Sequence, residues 1–327
     1  MTERKGAMRV LLCAIAILSA TALVACGEAE REGSGGEPAA SGEPVTLSVG
    51  IDSIYTPMFL AQTQGLFEEA GVDVEIKQFA QGGEGADAMV AGSIDVAGSA
   101  DSTILSRAER TDLRALGVFV EDVGNYVKLV TSKDISDPSQ IEKMGIIPGS
   151  VSEYGASKLL ESEGIDPESV EFVSAGPPEL PALLEQGDID GFVIWEPWPT
   201  RAEGMGGKIL MESREFDLSY VLVLAARKDW LDAHQEEAKA IMSALAKADE
   251  IVESDPKAAA AAAGEQAKLP PEQVEGAIAD LEFKVRDFTE EDVQVWNDVA
   301  DFLIERDLIK ERPDVQEVLS DAVVGSG

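Results

Sequence analysis

The amino-acid sequence predicts an α/β fold of two lobes with a helical C-terminal segment packed on the first lobe. Apolar strands alternate with helices of about ten residues, which is typical of βαβ units and a mostly parallel sheet. This alternation runs through two successive rounds, and the pattern from residue 228 onward is helical. A chain of 327 residues is also long enough for two domains of roughly 100–200 residues each.

The first round begins at the apolar segment VTLSVGI, and the second begins near residue 127. The predicted strands are 45–51, 72–79, 94–98, 113–120, 127–131, 144–147, 170–173, 189–194, 208–211 and 220–226. The predicted helices of the two rounds are 57–70, 85–91, 101–109, 152–163, 178–186 and 196–205. The helices of the C-terminal segment are predicted at 229–253, 255–267, 270–280, 289–306 and 313–323, where Asp-Pro, Pro-Pro and Thr-Glu-Glu-Asp sequences provide several of the start signals.

The two rounds predict that the chain crosses between the lobes twice, near 125–131 and near 219–226. Lobe 1 then comprises 45–126 plus 222–327, and lobe 2 comprises 127–221. Periodicity alone leaves a second arrangement open, in which two sequential domains are followed by a helical cap.

The N-terminus has the pattern of a secretion signal. Arg4, Lys5 and Arg9 precede an apolar run of about 13 residues, which suits a signal peptide and is short of the roughly 20 that a membrane span needs. Met8 would serve equally well as the start. The run ends in Leu-Val-Ala-Cys, which resembles a bacterial lipobox, so we expect a signal peptide over 1–25 and lipidation of Cys26. The alternatives are an uncleaved anchor or a cysteine placed there by chance. The Gly-, Ser- and Glu-rich remainder of 26–44 is typical of a flexible linker.

Composition excludes several classes of function. Removal of 1–25 leaves 23 Lys+Arg against 61 Asp+Glu, a net charge of −38 over 302 residues, which would repel nucleic acid. Cys26 is then the one remaining cysteine and His234 is the one histidine, so we predict no disulfide, no metal site and no cofactor. A catalytic site would have to use a pair of carboxylates, and nothing in the sequence identifies such a pair.

Four segments carry a resemblance to a known family. They are YTPMFLAQTQGLFEEAGVDVEIKQF (55–79), AGSIDVAGSADS (91–102), GIIPGSVSEYGASKLLESEGIDPESVEFV (145–173) and ALLEQGDIDGFVIWEPW (182–198). In order and spacing they resemble the periplasmic solute-binding proteins of ABC importers, in the branch of the nitrate, aliphatic sulfonate, taurine and thiamine-pyrimidine receptors. The resemblance implies a type II periplasmic-binding-protein fold that closes on one solute.

Candidate ligand-binding residues follow the carboxyl ends of strands, where helix N-termini converge and ligands of open α/β sheets bind. They are Ser53, Tyr55, Thr56, Ser99, Asp101, Ser102, Ser150, Ser152, Tyr154, Trp195 and Glu196. The alternative for the serines and aspartates is ordinary N-capping, and the alternative for the tryptophan is core packing between the lobes.

The charge of the ligand stays open at this stage. Six acidic residues lie at or near the strand ends, whereas Arg107, Lys128 and Arg201 are the nearest basic residues and lie further away. The six are Asp52, Asp101, Glu121, Asp122, Glu153 and Glu196. A sulfonate would lack a guanidinium partner in this arrangement, so the balance inclines slightly to a nitrogen-bearing ligand. An acidic chain places several carboxylates at strand ends by chance, however.

The sequence therefore predicts a non-enzymatic solute-binding lipoprotein of an ABC importer, held on the extracytoplasmic face of the cell membrane. Its ligand would be a sulfonate- or nitrate-like anion or a pyrimidine-like heterocycle. Its partners would be the permease with its ATPase and the membrane through the lipid, with no nucleic acid, and the protein would act as a monomer. A receptor that docks a signalling partner is one alternative, and a secreted carboxylate-based hydrolase is another.

Overall fold

Two β-sheets organise the chain. The computed structural model describes residues 43–319 together with 323 and 324. The predicted signal peptide, Cys26 and nearly all of the predicted linker lie outside these residues. The strands are β1 Val45–Val49, β2 Val74–Gln78, β3 Val96–Ala100, β4 Leu113–Asp122, β5 Val127–Thr131, β6 Lys143–Ile146, β7 Glu171–Ser174, β8 Gly191–Trp195, β9 Lys208–Glu212, β10 Val221–Arg227 and β11 Leu281–Arg286.

Helices connect the strands and follow the last of them. They are α1 Thr56–Thr63, α2 Leu66–Glu69, α3 Gly82–Val90, α4 Asp101–Ala108, α5 Val151–Ser162, α6 Leu180–Gln186, α7 Trp198–Gly204, α8 Lys228–Ala233, α9 Gln235–Ser254, α10 Pro256–Ala267, α11 Pro271–Ile278, α12 Glu290–Glu305 and α13 Val315–Val318. None of the helices within the described part of the chain is long and apolar enough to cross a bilayer.

Each sheet mixes parallel and antiparallel pairs. The first has the order β11-β4-β10-β3-β1-β2, and the second has the order β7-β6-β8-β5-β9. β1 runs parallel to β2 and β3, and β6 runs parallel to β7 and β8, as the helical crossovers require. β10 is antiparallel to β3 and β4, and β5 is antiparallel to β8 and β9. We call the part built on the first sheet the first lobe and the part built on the second sheet the second lobe.

The chain passes between the sheets twice. It leaves the first sheet after β4 and enters the second at β5, and it returns between β9 and β10. The arrangement of two sequential domains is wrong, because β10 and β11 belong to the same sheet as β1. The predicted two-lobed α/β class is confirmed, while the lobe limits stay a proposal.

The expectation of a purely helical C-terminal segment is wrong at one place. Residues 281–286 form β11, an edge strand antiparallel to β4. Leu281, Phe283 and Val285 alternate with charged residues, and this period of two is the pattern of a half-buried strand. Other boundaries also differ: the predicted helix 57–70 is divided into α1 and α2, the predicted helix 229–253 is divided into α8 and α9, and α3 begins at Gly82 instead of residue 85.

The C-terminal helices cover the first lobe. α9 buries Ile241, Leu245, Ala248 and Val252 along one face, at the three- and four-residue spacing of an amphipathic helix, and this helix packs on α1 and β4. α12 packs on α4 in the same way. The contact with α12 supports α4, whose first residues follow the carboxyl end of β3.

Candidate functional site

A cavity of about 100 Å³ lies where strand ends of both lobes meet. From the first lobe, its walls come from the turns after β1, β2 and β3, and from the second lobe they come from the turns after β6 and β8. Every one of these turns follows the carboxyl end of a strand, which is where open α/β sheets bind ligands. The cavity is therefore the candidate binding site.

Glycine allows the backbone to approach the cavity closely at the start of α3. A Cβ atom on Gly82 would lie 2.5 Å from the Tyr55 hydroxyl and 3.0 Å from Ser99 Oγ, so no other residue fits there unless its neighbours move. Across the cavity, Gly149 has a φ of +64°, the left-handed conformation that glycine adopts without strain, just before α5. The N-terminal turns of α3 and α5 thus bring partly positive backbone groups to opposite walls.

Arg107 is the basic side chain of the cavity wall. Its Nη2 lies 3.0 Å from Asp87 Oδ2, and its Nη1 lies 2.8 Å from Ser106 Oγ. Its Nε is buried and has no hydrogen-bond partner in the described residues. Asp87 is partly desolvated, but hydrogen bonds and charge from Arg107 and Arg110 outweigh that effect and lower the pKa of the Asp87 carboxyl. The guanidinium is therefore held in place beside the cavity by its neighbours on α3 and α4.

Two buried carboxyl groups of the first lobe have raised pKa values. Burial raises the pKa of Asp52, which lines the cavity, to about 7, although its carboxylate accepts the Ile54 N–H at 3.1 Å. Burial also raises the pKa of Asp101 to about 7 at the start of α4. Both groups consequently carry much less negative charge near neutral pH than ordinary aspartates do.

The other strand-end carboxylates are already engaged within the protein. Lys128 Nζ lies 2.7 Å from Glu196 Oε1, Arg286 Nη2 lies 2.7 Å from Glu121 Oε2, and Asp122 accepts backbone N–H groups of the turn that follows it. Glu153 accepts the Gly149 N–H at 2.9 Å. The expectation that the nearest basic residues lie away from the strand ends is wrong for Arg107, which lines the cavity. Four of the six carboxylates that favoured a nitrogen-bearing ligand already have partners within the protein.

Four of the sequence-predicted residues line the cavity together. Tyr55 and Ser99 lie on the first-lobe wall, while Ser150 and Trp195 lie on the second-lobe wall. The Tyr55 hydroxyl donates to the Gly98 carbonyl at 3.0 Å, and Ser150 Oγ donates to the Ile147 carbonyl at 2.7 Å. Trp195 is 8% exposed at the end of β8. Their contact with a ligand stays a prediction.

The remaining predicted residues are buried beside the cavity and do not line it. Four of them have partners of their own: Thr56 Oγ1 donates to the Ser53 carbonyl, Ser53 Oγ lies 3.4 Å from the Tyr126 hydroxyl, Ser152 Oγ donates to the Val193 carbonyl, and Tyr154 packs on Phe302. Glu196 pairs with Lys128, as described. Asp101 Oδ1 accepts the Ser102 N–H, whereas Asp101 Oδ2 and Ser102 Oγ are buried without partners among the described residues.

Sequence reasoning missed Arg107 and the segment Gln81–Gly83 as parts of the wall. Thr103 and Arg107 are four residues apart on α4 and so share a helix face, which was a usable signal once Ser99 had been placed at the strand end. The Gln-Gly-Gly sequence follows β2 and opens α3, which is the pattern of a close backbone approach to a ligand. The prediction that the helix starts at residue 85 concealed it.

A wider groove of about 840 Å³ lies away from the strand ends, between α9, α11 and β11. It is lined by residues of the C-terminal segment alone, including several acidic side chains. Within the described residues no group of His, Cys, Asp or Glu side chains is arranged to hold a metal ion. We assign the ligand to the smaller cavity because both lobes contribute to it at strand ends.

Comparison with known proteins agrees with this fold. The model of the NMT1-like family matches residues 39–265, and the chain belongs to this family. It is 26% identical over 220 residues to the taurine-binding periplasmic protein of Escherichia coli K12, covering 65% of this chain and 68% of that one. It is 22% identical over 288 residues to a putative aliphatic sulfonates-binding protein of Bacillus subtilis 168, covering 85% and 86%.

Among solved structures, the fold is similar to that of the periplasmic aliphatic sulphonate-binding protein SsuA of Escherichia coli. The TM-score is 0.77 at 18% identity, over 88% of this chain and 95% of that one. The predicted membership of the solute-receptor family and the predicted two-lobed fold are therefore confirmed.

Proposed function

We propose that this member of the NMT1-like family is the solute-binding component of an ABC importer and that its cavity captures a small organic sulfonate. The relatives named above are binding proteins for taurine and for aliphatic sulfonates, which agrees with a role in binding rather than in catalysis. The choice of an anionic solute rests on the presence of Arg107 in the cavity wall.

Three features of the cavity favour an anionic head group. The Arg107 guanidinium is held by Asp87, lies in the cavity wall and carries a positive charge. The N-terminal turns of α3 and α5 present backbone groups of partial positive charge, as is usual where helices bind oxyanions. Burial raises the pKa of Asp52 to about 7, so its carboxyl group is protonated more readily than that of an ordinary aspartate and then carries no charge that would repel an anion.

The volume of the cavity limits the size of the solute. The cavity measures about 100 Å³, which suits a small solute. Methanesulfonate and taurine are of this scale, while long-chain alkanesulfonates would require the lobes to separate further. Trp195 supplies an aromatic wall for a short aliphatic part of the solute.

Calorimetric titration of the full-length protein in detergent tests the proposal. In the titration we expect taurine or methanesulfonate to bind. In a thermal scan either should also raise the melting temperature, because a ligand at one hundred times its Kd stabilises the native state by about 2.7 kcal/mol. Nitrate, a pyrimidine and an aliphatic amine serve as comparison ligands. Binding of the amine or the pyrimidine but of no sulfonate would overturn the anion assignment.

A matched pair of variants tests the role of Arg107. Arg107→Gln removes the guanidinium from the cavity wall, whereas Arg110→Gln removes the neighbouring guanidinium, which also pairs with Asp87 but does not line the cavity. A hydrogen bond to a charged group contributes about 1.5–3 kcal/mol, so we expect Arg107→Gln to weaken sulfonate binding by about 10- to 100-fold. Equal losses in the two variants would contradict a direct contact.

Location and assembly complete the proposal. The named relative from Escherichia coli is periplasmic, and we infer that this chain likewise acts outside the cytoplasm as a monomer, held by a lipid on Cys26 and docking on a permease. Cys26→Ser should release the protein from membranes. If the Cys26→Ser protein still partitions with membranes, the lipid anchor is excluded.

A further inference from the structure

Arg306 is a side chain of the C-terminal segment that reaches the second lobe. It follows α12, which packs on α4 of the first lobe. Its Nη2 lies 3.4 Å from Glu153 Oε1 on α5, and its guanidinium stands 5.1 Å above the ring of Phe172 on β7. One helical turn earlier, Phe302 packs on Tyr154 with a ring-centre distance of 5.1 Å. This face of α12 therefore contacts the second lobe at consecutive residues of α5.

The same glutamate holds the wall of the candidate binding cavity. Glu153 is 3% exposed, and its Oε2 accepts the Gly149 N–H at 2.9 Å. Gly149 and Ser150 line the cavity, and Gly149 is in the left-handed conformation that the turn requires. One oxygen of this carboxylate thus fixes the turn, while the other faces Arg306. A buried carboxylate is costly without a compensating charge, so the two contacts depend on each other.

We propose that Arg306 is a positioning residue for the ligand site, which acts through Glu153 to hold the Gly149–Ser150 wall in its binding geometry when the lobes are closed. The inference rests on the proposed function of the cavity as a solute site. The C-terminal segment thereby contributes to ligand affinity, although Arg306 does not line the cavity. Separation of the lobes would remove the guanidinium from Glu153 and loosen the turn, and closure would restore it.

Amide hydrogen exchange and ligand affinity, both measured on the full-length protein, test the proposal. In Arg306→Gln without ligand, we expect amides of the 147–152 turn to exchange at least five-fold faster than in the wild type, because Glu153 has lost its charge partner. Taurine affinity should fall by about 3- to 10-fold. Arg306→Lys should recover most of both effects, since an ammonium group also pairs with a carboxylate.

Arg312→Gln is the matched control. Arg312 is 39% exposed, close to the 41% of Arg306, but its Nε pairs with Asp301 within the C-terminal segment. We expect its exchange pattern at 147–152 and its taurine affinity to equal those of the wild type. Combining Arg306→Gln with Glu153→Gln should weaken binding no more than Glu153→Gln alone, because both changes interrupt one path.

The two measurements separate the failure of this inference from the failure of the proposed function. If the wild type binds no sulfonate, the proposed function fails, and exchange at the turn still decides whether Arg306 positions it. If the wild type binds taurine and Arg306→Gln changes neither exchange nor affinity, the positioning role is refuted. Equal effects of Arg306→Gln and Arg312→Gln would also refute it, since they would reflect a general loosening of the segment.

Discussion

Replacement of Asp52 by asparagine should raise the free energy of unfolding at neutral pH but not at acidic pH. Burial raises the pKa of Asp52 from 3.8 to about 7. An acid with a higher pKa in the folded chain binds its proton more tightly there than in the unfolded chain. Its stabilising contribution is therefore complete below pH 3.8 and is lost as the pH rises through about 7. The asparagine side chain of the variant would stay neutral throughout this range and would keep an oxygen for the Ile54 N–H.

The expected change in unfolding free energy follows from the size of the pKa shift of Asp52. About three pKa units at roughly 1.4 kcal/mol each correspond to about 4 kcal/mol between pH 4 and pH 8. Urea unfolding of wild type and Asp52→Asn at several pH values measures the difference in free energy. We expect little difference at pH 4 and an advantage for Asp52→Asn that grows by about 1.4 kcal/mol per pH unit and levels off above pH 7.

A second variant separates this effect from the general relief of negative charge. Asp188→Asn removes one carboxylate from an exposed position, so it changes the net charge as Asp52→Asn does without altering a buried group. Asp101 titrates in the same range, but it is present in all three proteins and cancels in the differences. If Asp52→Asn and Asp188→Asn show the same dependence on pH, the raised pKa of Asp52 is wrong.

Further expectations concern an ion pair, an aromatic wall and the surface charge. Lys128→Met should cost about 3–5 kcal/mol of unfolding free energy, because it leaves the Glu196 side chain, which is only 4% exposed, without its cation. Addition of Glu196→Gln should recover part of this loss in the same denaturation assay. Trp195→Ala should weaken taurine binding by about 1–3 kcal/mol in calorimetry. If it instead lowers the free energy of unfolding by about 3–5 kcal/mol and leaves the affinity unchanged, the Trp195 side chain belongs to the core. Moderate salt should raise the melting temperature in a thermal scan, because the chain has 62 acidic against 26 basic residues and its excess negative charges repel one another at low ionic strength. An unchanged melting temperature would mean that the charges are already well paired.

The sequence by itself determined the order of strands and helices through most of the described chain. Apolar runs and polar turns are local signals, and they place β5 at 127–131 and the start of α5 within one residue of the structure. They also placed Tyr55, Ser99, Ser150 and Trp195 at strand ends, where the structure brings them to one cavity. Local pattern was sufficient within each sheet, because the carboxyl ends of its parallel strands meet at the same edge, whereas the tertiary structure brings the edges of the two sheets to one cavity.

The tertiary structure alone decided which charges meet. Lys128 and Asp280 are separated by 152 residues, and Arg306 and Glu153 are separated by 153, so no periodicity connects the partners. Their pairing depends on the return of the chain to the first sheet through β10 and β11, which a local pattern does not encode. Arg107 belongs to the cavity for a similar reason, because the face that α4 turns to solvent or to the cleft is fixed by its packing against α12. The sequence could therefore suggest that Arg107 faces the site, but the net charge there depends on contacts between segments that are distant along the chain.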